Sequence, residues 1–178
     1  MLPENRANFT GMKWFTSLFV AAAIAAPAAQ NPGGSSAAAA AAKRRLVGNW
    51  KLVKYEIFDP AGPTRPGAFD VGRLMYDEQG EMAAHLMRSG RPREAATTEP
   101  ARAAAYQAYL GYFGPFTVDP DKQIVVHHVV GSSRPDWIGS EQVRYYGFPA
   151  DNTLTLSLKS GDRVTQTLTW ERMSGAAR

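Results

Sequence analysis

The chain has 178 residues, no cysteine, 20 basic and 16 acidic residues, and a formal net charge of +4 at pH 7. Because cysteine is absent, disulfide scaffolds, thiolate metal centres and cysteine nucleophiles are excluded. Hydrophobic residues make up 44% of the chain and charged residues 20%, proportions typical of one globular domain. The small basic excess is only a weak indication of a polyanionic partner.

The N-terminal segment has the layout of a secretory signal peptide. Lys13 precedes an apolar run that passes into alanines, and Ala26 and Ala28 supply the small side chains that a signal peptidase requires. We predict a signal peptide over residues 1–28, with Met12 as an alternative start of translation, and export to the periplasm or the extracellular space. A retained membrane anchor is the alternative, although the run is shorter than the about 20 strongly apolar residues of a typical span.

The next segment, residues 29–45, is rich in alanine, glycine and serine. It has no aromatic or branched apolar side chain that would anchor it, which predicts a disordered tether whose alanines are at most transiently helical. The basic residues at 43–45 are interpreted as the solvated start of the domain, because a membrane contact needs about 4–8 charges. We therefore place the domain at 46–173 and a short tail at 174–178.

Alternation of apolar and polar residues predicts antiparallel strands throughout this domain. Leu154, Leu156 and Leu158, for example, alternate with hydroxyl side chains, and short sequences rich in Asp, Asn, Gly and Pro separate successive strands. The eight predicted strands are 47–58, 71–77, 81–88, 113–118, 123–131, 141–148, 153–159 and 163–172. Eight hairpin-connected strands lose their exposed edges only by closing. The predicted fold is therefore all-β, an eight-stranded antiparallel up-and-down barrel with room for side chains or one small ligand.

One stretch interrupts the strands with helical features. Thr97 or Thr98 is a suitable N-cap, and Glu99 and Pro100 suit the first turn of a helix. The apolar residues that follow at helical spacing are Ala103, Tyr106, Leu110 and Phe113. This pattern predicts one short helix that covers an end of the barrel.

The ends of the predicted barrel resemble a known family. Gly48-Asn49-Trp50 resembles the Gly-x-Trp signature of lipocalins, and Arg172 resembles the basic residue that packs over that tryptophan. The stretches similar to bacterial and fungal lipocalin-like domain proteins are 46–50, 72–76, 112–114, 127–132 and 168–172. The resemblance implies a barrel that holds an apolar ligand and is closed by Gly48, Trp50 and Arg172. It also implies a second possibility, because some relatives assist cyclisations in natural-product pathways.

The first strand contains a conflict in its alternation. Counting from Trp50 in steps of two places Lys54 on the inner face, whereas the more apolar residues of the strand include Tyr55. A bulge near Leu52 would reconcile the two patterns, because one extra residue changes which side chains point inward.

A pocket inside the barrel is predicted from the aromatic, histidine and arginine side chains on the strands. The predicted ligand-binding residues are Tyr55, Met75, His85, Tyr112, His127, His128, Trp137 and Arg144. Only one of His127 and His128 can face inward, since adjacent strand residues point to opposite faces. The histidine or Arg144 would orient the polar end of a ligand, and Trp137 would fold over the barrel mouth. Core packing or a solvent-facing position is the alternative for each residue.

Other chemistry is disfavoured by missing motifs. The sequence has neither a metal-ligating histidine pair nor a nucleophile elbow or dinucleotide fingerprint, so neither a metal nor a cofactor is predicted. Export and eight rather than five strands disfavour nucleic-acid binding, and membrane contact is predicted only through the signal segment. The predicted function is non-catalytic binding of a small apolar or amphipathic molecule. The alternatives are a cofactor-independent isomerase or cyclase of a hydrophobic substrate, and an envelope interaction module with a solid core.

Overall fold

A computed structural model describes residues 32–92 and 97–174 of the chain, with side chains from residue 36 onward. The predicted signal peptide, the alternative start at Met12 and the tail beyond residue 174 lie outside the described residues. Within the described ranges, none of the helices combines the length and the hydropathy that a membrane crossing requires.

Ten strands in the described residues make one antiparallel sheet. They are β1 (Gly48–Ile57), β2 (Arg65–Pro66), β3 (Val71–Tyr76), β4 (Glu81–Met87), β5 (Tyr109–Asp119), β6 (Ile124–His128), β7 (Gly131–Ser132), β8 (Glu141–Ala150), β9 (Thr153–Ser160) and β10 (Arg163–Arg172). The helices described are α1 (Pro32–Leu46), α2 (Glu99–Gln107) and a 3-10 turn at Pro135–Trp137. Eight strands pair in the order β1, β3, β4, β5, β6, β8, β9 and β10, and β10 pairs back with β1. The predicted eight-stranded up-and-down barrel is thus confirmed.

Strand β1 contains the bulge that was predicted from its conflicting apolar alternation. The register of β1 against β10 shifts between Leu52 and Lys54. Leu52 is buried and Val53 is 49% exposed, so the bulge turns Val53 outward. Tyr55 consequently points into the barrel, on the same side as Trp50. The extra residue changes the parity of the strand, as bulges do in general.

The helix before β5 is shorter than predicted. Thr98 caps α2 by accepting a hydrogen bond from the backbone N–H of Ala101, but the helix ends at Gln107. Leu110 and Phe113 belong instead to β5, which begins four residues before the predicted strand. No residue of α2 is buried, whereas pairing with β4 buries Leu110 and satisfies the backbone groups around it. Tertiary pairing with β4 therefore overrides the local helical spacing, and the segment forms a strand.

The predicted disordered tether also requires correction, because the structure has helix α1 from Pro32 to Leu46. Isolated alanine-rich helices of this length are marginal in water, so contacts with the barrel explain its stability. Leu46 is fully buried in the core and Ala42 packs against it. The ammonium group of Lys43 donates a hydrogen bond of 2.8 Å to the carbonyl oxygen of Glu78. The folded unit therefore begins before residue 46.

The last turn of α1 and the ends of β1 and β10 form the barrel floor. The Arg172 guanidinium lies 4.1 Å from the centroid of the Trp50 ring and donates hydrogen bonds to the carbonyl oxygens of Val47 and Arg45. Gly48 has a φ of +136°, and a Cβ atom there would lie 2.5 Å from Nη1 of Arg172. Only glycine fits both the backbone conformation and the guanidinium at this point.

Candidate functional site

The barrel encloses a cavity of about 340 Å³ near the end at which Gln107 of α2 and Trp137 lie. This volume lies within the range of small-molecule sites. The lining residues are Tyr55, Ala68, Phe69, Leu74, Ala84, Leu86, Gln107, Leu110, Tyr112, Arg134, Trp137, Gln142, Arg144, Leu156, Leu158, Gln166, Leu168 and Trp170. The barrel is therefore hollow at this end and tightly packed at the floor, where Trp50 is fully buried.

The described lining is apolar and positively charged. Six of the lining side chains are leucines, two are arginines, and none is an aspartate, glutamate or histidine. Aromatic side chains add flat walls, and the ring of Trp137 meets that of Tyr112 edge-on with 5.4 Å between centroids. Apolar walls with a few polar groups are the usual composition of sites that bind and orient small molecules.

Arg144 is the buried charge of this cavity. Its side chain is held by hydrogen bonds to the carbonyl oxygen of Val143 at 2.8 Å and to Oε1 of Gln142 at 3.4 Å. The residue is only 8% exposed, and among the described residues no carboxylate forms a salt bridge with it. Because a buried charge without an opposite partner is costly, an electronegative group on a bound molecule would be stabilised beside it.

Four of the predicted pocket residues line this cavity. Tyr55, Tyr112, Trp137 and Arg144 contribute to the wall. The hydroxyl of Tyr55 donates a hydrogen bond of 2.5 Å to Oε1 of Gln166. The loop tryptophan is half-buried at the end of the barrel, as expected for a side chain folded over a mouth.

Three predicted pocket residues lie on the outer face instead. Met75 is 38% exposed because its neighbour Leu74 is the inward residue of β3. His85 also points outward, because its neighbours Ala84 and Leu86 are the inward residues of β4. Its Nδ1 lies 2.6 Å from the hydroxyl oxygen of Tyr109. His128 also faces outward, where it contacts Thr117 and Glu141. These three assignments are corrected by the observed registers.

His127 faces inward but lies behind the cavity wall. Its Nε2 is 2.7 Å from the hydroxyl oxygen of Tyr76 and its Nδ1 is 3.0 Å from that of Tyr112. Burial, with the positive charge of Arg144, holds the pKa of His127 well below its ordinary value, and the charge of His128 adds to this effect. Burial raises the pKa of both tyrosines. The three side chains are therefore neutral at neutral pH.

Several residues that line the cavity were not among the predicted pocket residues. Trp170 is 2% exposed, lines the cavity, and carries the one buried side-chain N–H without a partner among the described residues. Its alternation with threonines in β10 already indicated an inward side chain. Gln142 is two residues from Arg144 on the same strand and so shares its face, whereas Gln166 and Phe69 gave no comparable signal.

The neutral state of His127 predicts acid sensitivity of the fold. Between the depressed pKa of the folded protein and the about 6.5 of the unfolded chain, the unfolded state binds one more proton. The free energy of unfolding should therefore fall as the pH drops below about 6.5, by up to about 1.4 kcal/mol per pH unit. Urea denaturation between pH 7.5 and 5.0 measures this slope above the range in which carboxylates titrate.

Two substitutions separate His127 from the other histidines. His127→Gln keeps a polar side chain between the tyrosines and should lose most of this slope, whereas His85→Gln on the outer face should keep it. An unchanged slope in His127→Gln would show that another group causes the acid sensitivity.

Residues 47–173 match the family model described as the lipocalin-like domain. The chain is similar to the 4'-hydroxy-3'-methoxypropiophenone carrier protein ppsC of Aspergillus oryzae, with 33% identity over 108 residues that cover 52% of this chain and 96% of that protein. A solved redesigned β-barrel matches 75% of this chain and 96% of its own length, with a TM-score of 0.39 and 11% identity.

Proposed function

The chain belongs to the lipocalin-like domain family, and we propose that it binds a small amphipathic molecule inside its barrel. The observation that carries the proposal is the buried guanidinium of Arg144, which has no carboxylate partner among the described residues and lies in the wall of a largely apolar cavity. Apolar contacts would supply most of the affinity, and Arg144 would orient the electronegative end.

The ligand that fits this lining best is a single-ring aromatic molecule with a carbonyl, phenol or carboxyl group. Tyr112 and Trp137 offer aromatic edges and faces to a ring, and six leucines surround it. The related fungal protein is named as the carrier of an aryl ketone that also bears a phenol. That name supports an aromatic ligand of the same kind for this chain.

A binding role is favoured over the isomerase or cyclase alternative by the composition of the lining. Removing a proton from carbon requires a base close to the substrate, and the described lining has neither carboxylate nor histidine. The interaction module with a solid core is disfavoured by the cavity itself. We retain export as part of the proposal, supported by the signal-like sequence of residues 1–28.

Titration of the protein with 4'-hydroxy-3'-methoxypropiophenone, followed by tryptophan fluorescence, tests the proposal. We expect saturable binding at one site with a dissociation constant of roughly micromolar order, and native mass spectrometry should show a 1:1 complex. Leu158→Trp should weaken binding strongly, because the larger indole occupies part of the cavity and narrows the space for a ligand. Val53→Trp, on the exposed bulge, is the matched control and should bind normally. Absence of saturable binding of this ketone and of any small molecule retained through native purification would overturn the proposal.

A further inference from the structure

Tyr76, His127 and Tyr112 form a hydrogen-bonded chain from the barrel core to the cavity wall. They lie on β3, β6 and β5, and each is at least 95% buried. The imidazole stands between the two hydroxyl oxygens, at 2.7 Å from that of Tyr76 and 3.0 Å from that of Tyr112. Of the three side chains, only Tyr112 lines the cavity.

The imidazole can accept a hydrogen bond from only one of the two tyrosines. A neutral histidine has one N–H and one unprotonated nitrogen, and burial beside Arg144 keeps His127 neutral by lowering its pKa. Two arrangements are therefore available. Either Tyr76 donates to Nε2 and Nδ1–H donates to Tyr112, or Tyr112 donates to Nδ1 and Nε2–H donates to Tyr76.

The surroundings of the two hydroxyl groups favour the first arrangement. In the second, the hydroxyl hydrogen of Tyr76 would need another acceptor, and among the described residues its oxygen has no hydrogen-bond partner besides His127. A buried donor left unpaired is costly. In the first arrangement the hydroxyl hydrogen left over is that of Tyr112, which lies at the cavity and is available to a bound molecule.

We propose that Tyr76 fixes His127 as the Nδ1–H tautomer, so that Tyr112 donates its hydroxyl hydrogen into the cavity and the site selects ligands with an oxygen acceptor. The ligand class is an aromatic ketone, phenolate or carboxylate, and amines of the same shape are rejected. This inference rests on the proposed function, since it assigns the specificity of the same cavity.

The other polar groups of the lining agree with a donor site. The Nε1–H of Trp170 is buried without a partner in the described part of the chain, and Arg144 has only donors to offer. Two of the three amide oxygens of the lining are already in use, since Gln142 accepts from Arg144 and Gln166 accepts from Tyr55. The groups left for a ligand are thus mainly donors. A hydrogen-bond acceptor on the ligand pairs with them, whereas an ammonium group leaves them unpaired and is repelled by Arg144.

The tautomer is tested directly by ¹⁵N NMR of the full chain with labelled histidine. We expect the His127 signals of an imidazole protonated at Nδ1 and unprotonated at Nε2, distinguishable from the other histidines in His127→Gln. The opposite tautomer would overturn the inference. This measurement needs no ligand, so its result is independent of whether the proposed function holds.

Specificity is tested with three ligands of one shape, propiophenone, propylbenzene and 1-phenylpropylamine. The wild-type protein should bind the ketone about tenfold more tightly than the hydrocarbon and the amine most weakly. Tyr112→Phe should lose most of this preference for the ketone, whereas its affinity for the hydrocarbon should stay the same. Tyr109→Phe, which removes a tyrosine hydroxyl on the outer face, should behave as wild type. Equal affinity of the wild type for ketone and hydrocarbon would overturn the donor site but leave the proposed function intact.

Discussion

Replacing Trp50 by alanine is expected to lower the free energy of unfolding by about 3–5 kcal/mol. The side chain is fully buried at the barrel floor, where its Nε1–H donates a hydrogen bond of 2.8 Å to the carbonyl oxygen of Leu46. It also supports the guanidinium of Arg172 across the seam between the first and last strands. The substitution leaves a cavity and removes contacts with both α1 and β10. Urea or guanidinium denaturation at pH 7.5 measures the loss.

A matched substitution at the other end of the barrel compares the stability contributions of the floor and the mouth. Trp137→Ala deletes the same side chain from a half-buried position and should cost clearly less than Trp50→Ala. A double-mutant cycle of Trp50→Leu with Arg172→Met should give a coupling energy of about 0.5–2 kcal/mol for the guanidinium over the ring. Equal losses in the two alanine variants would contradict closure of the barrel through Trp50.

The architecture was predictable because strand alternation and turn chemistry are local properties. The strands built on Leu154, Leu156 and Leu158 and on Trp170 lie where alternation predicts them, and they bury those residues wholly or in part. Helix α1 was not predictable, because it depends on burial of Leu46 under the barrel. The start of β5 was missed because the apolar spacing there fits a helix, and only pairing with β4 shows that it is a strand.

The site was only half predictable because alternation does not say which face of a strand is inside. Leu74 and Met75 are both apolar, and the register with neighbouring strands, not composition, places Leu74 inward. The same holds for His127 and His128, of which the sequence allows only one inside. Arg144 was predicted as a residue that orients the polar end of a ligand, although most arginines are exposed. Its burial beside leucines is a departure from ordinary core composition, as expected where function constrains a residue.

Arg144→Met is expected to weaken binding of an anionic ligand by about 10- to 100-fold while raising the free energy of unfolding of the unliganded protein by about 1–2 kcal/mol. Methionine has a similar length and fills the same space without the charge. The guanidinium is buried and no described carboxylate balances it, so its removal relieves a desolvation cost that only a ligand offsets. Fluorescence titration and urea denaturation of the same preparations measure the two effects.

The opposite signs of these effects distinguish a ligand-binding arginine from a structural one. Arg134, which is exposed at the cavity mouth, provides the control, since Arg134→Met should change affinity and stability only slightly. If Arg144→Met lost stability as well as affinity, its bonds to Val143 and Gln142 would be structural in purpose. If affinity for an anionic ligand were unchanged, the guanidinium would not face the ligand. If Arg144 serves binding, Arg144→Met should gain stability and lose affinity. In the unliganded protein the buried guanidinium only destabilises the fold, and its favourable interaction forms only with the ligand.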